Sequence, residues 1–506
     1  MNRKLSIAAI VYGALAIIGE VCGLQLPTFS WLFSLGPVSG WVSSALIIAG
    51  GIAGLIFLPR EIQWNPVTLQ RFKRFRTIGR GWWSFRILLL LIVLAMLDQG
   101  IVGKRALFVR YDGKTYFPAF VKKRFTAQDF GLKGEQEVNY RELKKTLAKD
   151  NRGFVLMPPV PWDPVLDTDS MQSIPLEQRS GQWFKLGDKE AYSGRARRYY
   201  ADAPEAKHTD MRLRKGVPDG EWLGYSKTGG VAVSASYKEG KLVREKWTGE
   251  MPQADFEKAA TTPLQVTIYP SLPPMWHAGH FLGTDSKGWD VLAQIFGGWQ
   301  VNLKAILLYL LFTYGVGVTI GSLMGFLGGV FDLLMQRVIE IIEELPFLYI
   351  VMIVVSIITI AEMNLTMLLG VICLFSWTGM TYSLRALAYK EKERDYVSAA
   401  RLQGASTWRI LTRYLLPNML STVITNVPFS VAGIISSLTA LSFLGFGLPE
   451  TYASWGWLFD DGMNHLSAPW ISISMFIAMV VVLLLVTFVG EALREAFDPK
   501  KFSTYQ

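Results

Sequence analysis

The apolar runs of this chain limit its fold more than any other feature. A helix needs about 20 consecutive apolar residues to cross the hydrocarbon of a bilayer. Eight stretches approach or exceed that length: 5–24, 39–58, 85–102, 302–329, 337–361, 364–387, 419–447 and 470–492. Between the third and the fourth lies a segment of another kind, 103–300, rich in Lys, Arg, Asp and Glu up to about residue 260. The pattern predicts a mainly α, polytopic membrane protein that carries one large polar insert. Composition agrees: 51% of the residues are hydrophobic and 18% charged, against roughly 25% charged in soluble domains. This excludes a disordered chain and speaks against a wholly soluble enzyme.

Positive charge sets the expected orientation. Arg60, Arg71, Lys73, Arg74, Arg76, Arg80 and Arg86 follow the second run, and Lys390, Lys392, Arg394, Arg401, Arg409 and Arg413 follow the sixth. Loops rich in Lys and Arg stay in the cytoplasm, so both termini are expected inside and 103–300 outside. The formal net charge of +10 is therefore read as cytoplasmic loops and contact with membrane lipid, with no nucleic-acid partner. Arg3 and Lys4 ahead of the first run could open a secretory signal. A second run follows soon, and no small-residue cleavage site precedes Cys22, so the first run is expected to stay as half of a hairpin. Cys22 and Cys373 lie in separate apolar runs and form neither a disulfide framework nor a zinc spacing.

The expected division is 1–60, an N-terminal transmembrane hairpin; 61–86, a basic cytoplasmic segment; 87–102, the first core span; 103–300, the insert; and 301–498, the remaining core. The insert opens with LFVRYDGKTYFPAF, where alternation around Asp112-Gly113 signals a hairpin. FVLMPPVPWDP (154–164) is proline-dense and extended. Residues 181–249 read as short strands, with Gly220-Glu-Trp222, Tyr225, Tyr237-Lys-Glu-Gly240 and Trp247 resembling the strand repeats of MORN-like modules; an unrelated small β-domain is the alternative. His277 and His280 lack the further ligands that a metal site needs. The sequence contains no phosphate-cradling G-x-x-x-x-G-K-[ST] and no G-x-S-x-G or H-E-x-x-H motif, so no catalytic residues, cofactor or metal are assigned to it.

In the core, Gly317, Gly321, Gly325 and Gly329 recur every four residues. That spacing gives one small-residue helix face against which another helix can pack closely. Glu340 and Glu344 precede Pro346. If Asp332 marks the cytoplasmic surface, Glu344 lies about 18 Å along a straight helix. Intramembrane carboxylates face watery cavities or partners, so these two are candidates for a translocation path that favours cationic substrates. The alternative is that they sit in water or pair with Arg337. The segment 388–418 reads as helix, break, helix: a first helix with Tyr396, Val397, Ala399 and Ala400, a stop at Gly404, then a stripe of Trp408, Ile410, Leu411 and Leu415 ended by Pro417.

These residues carry a family resemblance. Ser398-Ala399-Ala400, Gly404 and Leu416-Pro417-Asn418 resemble the EAA loop of ABC importer permeases. Asp395-Tyr396-Val397-Ser398-Ala399-Ala400-Arg401 is similar to the E-Y-V-x-A-A-R of the C-type subunit in the dipeptide/oligopeptide permease group. Residues 280–298 (HFLGTDSKGWDVLAQIFGG), 325–332, 441–456 and 490–500 resemble further elements of that group in the same order. RFKRFRTIGRGWWSFRILLLLIVL and LFVRYDGKTYFPAF resemble its microcin C-type peptide importer subgroup. Asp395 stands for a Glu, Trp289 for an Arg and Tyr414 for a frequent His; the N-terminal hairpin and 170–260 have no place in the usual permease.

The resemblance implies a six-span type I importer core and a permease subunit that imports peptides across the inner membrane. It implies a homologous second permease, two ATP-binding subunits that hold ATP and Mg and grip Asp395, Tyr396, Ala399, Ala400, Arg401, Gly404, Leu416 and Pro417, and an extracytoplasmic peptide-binding protein. The same fold with another cargo, such as a nickel complex or an oligosaccharide, is one alternative. A membrane-anchored receptor or scaffold working through 103–300 is another.

Overall fold

The computed structural model describes residues 2–21, 23, 39–57, 66–121, 123–132, 137–150, 153–165, 167–168, 172–185, 191–203, 206–248, 251–268, 271–358 and 363–498. Cys22, Arg60, residues 359–361 of the fifth apolar run and Pro499-Lys500 lie outside the described residues. The chain divides into two compact units. One comprises 1–167, 273–285 and 289–506; the other comprises Thr168–Leu272 with Ser286–Gly288.

The first unit opens with helices α1 (Asn2–Val21) and α2 (Ser39–Phe57). They pack closely because glycine leaves room: a Cβ on Gly13 would lie 2.6 Å from Ile48 Cγ1, and one on Gly51 would lie 2.6 Å from Ile10 Cγ1. The basic helix α3 (Pro66–Thr77) and the apolar α4 (Gly79–Met96) follow. The segment 103–167 belongs to this unit as a small α/β layer. Strands β1 (Phe108–Tyr111) and β2 (Lys114–Tyr116) form the expected hairpin. Asp112 (φ 50°) and Gly113 (φ 77°) supply the two left-handed residues of a type I′ turn. Helix α5 (Tyr140–Asp150) packs Leu143 and Leu147 with Val109 and with Val155 of β3 (Gly153–Leu156), giving the sheet order β2-β1-β3.

The second unit is an antiparallel sheet. It contains β4 (Gln172–Arg179), β5 (Gln182–Lys185), β6 (Gly194–Tyr199), β7 (Lys207–Arg214), β8 (Val217–Tyr225), β9 (Val231–Lys238), β10 (Lys241–Trp247), helix α6 (Gln253–Lys258) and β11 (Gln265–Ile268). The strand order is β10-β9-β8-β7-β6-β11-β4-β5. Trp222 and Trp247 pack edge-on against Phe256 of α6. The stretch 181–249 supplies β5 to β10, and the sheet is completed by β4 and β11 from outside it.

The core of the first unit resumes with the 37-residue α7 (Val291–Leu327), α8 (Gly329–Glu344), α9 (Phe347–Ile358), α10 (Leu365–Lys392), α11 (Asp395–Leu402), α12 (Thr407–Ile410), a π-turn at Leu411–Leu415, α13 (Leu416–Phe443), α14 (Trp455–Asn464) and α15 (Pro469–Phe497). Among the described residues, five helices are long and apolar enough to cross a membrane: α4, α7, α10, the continuous Thr407–Phe443, and α15. A sixth span is present if α8 and α9 are counted as one broken span.

Two details differ from expectation. The run 337–361 is not a straight helix, because α8 and α9 are bent by 71°. Pro346 has no N–H to donate and disfavours helical geometry in the residue before it; Leu345 is accordingly extended (φ −77°, ψ 122°). Pro417 does not end a helix but lies in the first turn of α13. The preceding π-turn widens the backbone one turn ahead of the proline ring, and the helix continues through it.

Candidate functional site

Helix α7 runs against α10 along three of the four predicted glycines. A Cβ on Gly317 would lie 3.0 Å from the Trp377 carbonyl oxygen; on Gly321, 2.5 Å from that of Thr381; on Gly325, 2.5 Å from that of Arg385. Backbone therefore meets backbone, which no larger side chain would allow. Gly329 is not part of this seam. Helix α7 ends at Leu327, Gly328 and Gly329 are left-handed (φ 66° and 59°), and open space surrounds the Cβ position of Gly329. The fourth glycine turns the chain instead of packing it.

That turn places Asp332, buried in the first turn of α8, against the C-terminal half of α10. Arg385 donates to its carboxylate through Nε (2.5 Å) and Nη2 (2.7 Å), and Tyr389 donates through its hydroxyl (2.6 Å). Gln336 Oε1 accepts from Arg385 Nη2 at 3.2 Å. The bidentate guanidinium–carboxylate geometry is the strong form of this contact. It fixes the break after α7 to the part of α10 that leads into the 388–418 segment.

In that segment the hydroxyl of Tyr396 donates to Glu391 Oε2 (2.8 Å), and Arg394 Nε lies 3.3 Å from Glu391 Oε1. Burial, with a smaller effect of the bond to Glu391, raises the Tyr396 phenol above its ordinary value and keeps it a donor. Helix α11 buries Val397 and Ala400 and leaves Asp395, Ser398, Ala399 and Arg401 exposed. Gly404 is left-handed (φ 73°). Its N–H donates to the Arg401 carbonyl, and that of Ala405 donates to Ala400, closing a Schellman turn. Ser406 then caps α12. Ile410, Leu411 and Leu415 join Val397, Ala400, Leu384 and Ala388 in one buried cluster. Trp408 does not join this stripe. It is 67% exposed, and Leu402 is 90% exposed. The result is a rigid two-helix projection with an apolar, cation-flanked outer surface. Leu416 is half-buried and Pro417 exposed at its far edge.

The two candidate path acids are on α8. Gln336 Nε2 donates to Glu340 at 3.1 Å, and Arg337 pairs with the same carboxylate. Glu344 is exposed at the α8–α9 bend.

At the other end of α7, Asp290 caps the helix by accepting from the Ala293 N–H (2.7 Å) and pairs with His280 Nδ1 (2.9 Å). The His280 ring stacks on Trp162 at 4.1 Å. Asp285 accepts from the Trp289 N–H (2.8 Å) and from Gln294 Nε2 (2.7 Å). His280 is thus part of a buried polar turn, and among the described residues no group of three or more His, Cys, Asp or Glu is placed to hold a metal.

Sequence reasoning missed three features of this region. Leu402 is the last residue of α11, in a polar stretch, and has no periodic signal. The Asp332–Arg385 pair spans 53 residues, beyond any spacing rule. His280 and Asp290, ten apart, lie inside the 280–298 motif, and no spacing rule pairs them.

Comparison with known proteins gives the family of the chain. The family described as the binding-protein-dependent transport system inner membrane component matches residues 317–503. The chain is similar to the inner membrane ABC transporter permease protein YejE of Escherichia coli K12, at 30% identity over 439 residues, 86% of this chain and 98% of the relative. It is similar to the peptidoglycan transport system permease protein YejE of Agrobacterium fabrum, at 28% identity over 446 residues, 88% of this chain and 96% of the relative. It also resembles the oligopeptide transport system permease protein OppC of Escherichia coli K12, at 35% identity over 231 residues, 46% of this chain and 76% of the relative. The match to the Escherichia coli YejE leaves at most 67 of the 506 residues outside it, fewer than 103–300 contains. Most of the insert is therefore shared with that relative.

Proposed function

Since the chain belongs to the family of inner-membrane components of binding-protein-dependent ABC importers, we propose that the α11–α12 projection is the handle by which partner ATPase subunits drive its spans. The observation that carries this reading is the split within 395–415. One face anchors the projection to α7 and α10, while Leu402 and Trp408 stand in solvent with Asp395, Ala399 and Arg401 around them. An exposed Leu and Trp on a rigid support fit a hydrophobic groove in a partner. With no nucleotide motif in this chain, ATP and Mg belong to two such partners, and a homologous second permease completes the pore. The basic loops support an orientation with both termini and this projection in the cytoplasm and 103–300 on the far side, where a peptide-binding protein would dock.

The cargo class is peptides. Peptidoglycan fragments, which also carry peptide, are a second reading favoured by the name of the Agrobacterium relative, a peptidoglycan transport system permease. Glu340 and Glu344 are proposed to bias the path toward cationic cargo, with Glu344 at the bend the more accessible of the two.

Co-purification tests the handle. The wild-type chain is expected to bring down ATPase subunits and support uptake, whereas Gly404→Asp, which strains a left-handed position, loses both. A wild-type chain that brings down no ATPase, together with uptake unaffected by Gly404→Asp, would favour the scaffold reading.

A further inference from the structure

Residues 66–97 contain six basic side chains, Arg71, Lys73, Arg74, Arg76, Arg80 and Arg86, and no acidic one. Helix α3 is held by its apolar side: Phe75 is buried with Val489, Ala492 and Ala496 of α15, and the Arg71 guanidinium lies 5.1 Å from the centre of the Phe497 ring. Gly81, at the start of α4, lets that helix approach Ala492 closely. The basic side chains consequently project around the α3–α4 junction.

Two of them converge on one indole. The guanidinium of Arg76 lies 5.2 Å and that of Arg86 4.9 Å from the centre of Trp82, and Arg86 also lies 5.0 Å from the centre of Trp83. Trp82 is itself held by Phe72, Phe75 and Phe85, so the ring that positions both cations is fixed. Arg80 has a carboxylate, Glu491, at 3.4 Å. Lys73, Arg76 and Arg86 have none within 4 Å among the described residues.

The junction marks one end of α4, whose Ile87, Leu89, Leu90 and Val93 are exposed along the span. Trp83, 62% exposed, sits where an aromatic belt meets headgroups. Gathering cations on one aromatic platform without an acid is electrostatically unfavourable until an anion joins them. The position of the cluster, one helical turn from the lipid-exposed stretch of α4, says what that anion is.

We propose that Arg76 and Arg86, held by Trp82, together with Lys73 three residues before Arg76 on α3, form a binding site for the phosphate of an anionic phospholipid at the α3–α4 junction. The guanidiniums supply paired donors to the phosphate oxygens, and the acyl chains lie along α4. The site anchors the first core span at the membrane surface, in the cytoplasmic leaflet if the proposed orientation holds.

The test is native mass spectrometry of the complete transporter, extracted from vesicles of mixed phosphatidylglycerol and phosphatidylcholine. Wild type is expected to retain phosphatidylglycerol in preference to phosphatidylcholine. Each cation removed should lower that preference about fivefold, from about 1 kcal/mol per basic side chain near an anionic surface, so Arg76→Ser/Arg86→Ser loses most of it. Trp82→Leu, which keeps every charge, should lose part of it. Arg337→Ser, which removes a cation paired with Glu340, should retain it. A wild type without preference, or an Arg76→Ser/Arg86→Ser protein with wild-type preference, overturns the proposal. If the double variant does not assemble, Trp82→Leu and Lys73→Ser decide the matter. ATPase subunits missing from the same spectra would count against the coupling handle and leave the lipid count untouched.

Discussion

The two ends of α7 are fixed by different means. At the N-terminal end, His280, Asp285, Asp290 and Gln294 lie within 15 residues of one another and form a turn that decides where the helix starts. At the C-terminal end, the partners are far apart in sequence. Asp332 of α8 grips Arg385 and Tyr389 of α10, and the three-glycine seam presses α7 onto the same helix. The first arrangement is a local cap, and its loss affects one helix terminus. The second binds three helices into a unit continuous with the 395–410 projection, so a force applied there reaches the spans as a whole. Under the proposed coupling, the linkage lies at the end that would meet the ATPase and the local anchor at the other.

This contrast can be broken by mutation. Asp332→Ala takes the carboxylate from the partly buried Arg385 guanidinium and should cost about 1–3 kcal/mol, read as a fall in the thermal midpoint of the purified protein. Asp332→Ala/Arg385→Met should recover much of that loss; if the double variant is as unstable as the single, the ion pair is not what holds the three helices. Gly321→Ala should cost about 1–3 kcal/mol by forcing α7 away from Thr381. At Gly329, with open space around it, the same change meets only the strain of a left-handed backbone, about 1 kcal/mol. Equal losses at the two glycines would remove the seam. At the other end, Asp290→Ala should cost about 1–2 kcal/mol through the lost cap, with ATPase association unchanged.

The insert offers a pH readout independent of both ends. Burial, chiefly, lowers the pKa of His208 below the ordinary histidine value. The unfolded chain then binds the proton more readily than the folded one. Stability contributed by neutral His208 is present above about pH 6.5 and is lost as pH falls below it. His208→Gln should flatten that acid limb in a melting series. The smallest effect expected is on cargo choice: Glu340→Gln/Glu344→Gln should lower uptake of basic peptides a few-fold relative to neutral ones, and equal uptake of both would end the path assignment.

What the sequence disclosed follows from how local each signal is. The Asp112-Gly113 hairpin and the Gly404 stop were legible because a left-handed residue is a local requirement. The spans were legible because apolar length is. Periodicity put Trp408 with Ile410, Leu411 and Leu415, but α12 is only one turn long, and its first residues point away from the cluster that buries the others. Pro417 read as a helix end because the π-turn that accommodates it depends on packing of the preceding turn. The four-residue glycine repeat was legible; the break that takes Gly329 out of it came from the adjacent Gly328, whose φ of 66° no repeat reveals.

The central claim is that the partner ATPase meets the chain at Leu402 and Trp408. It is tested most directly by placing a photo-crosslinking amino acid at position 402, at 408 and, for comparison, at 276. Trp276 is 75% exposed, as apolar and as accessible as Trp408, but stands near the N-terminal end of α7. Irradiation of the assembled transporter should give ATPase adducts from 402 and 408 and none from 276. No adduct from 402 or 408, or an equal yield from 276, would contradict the account.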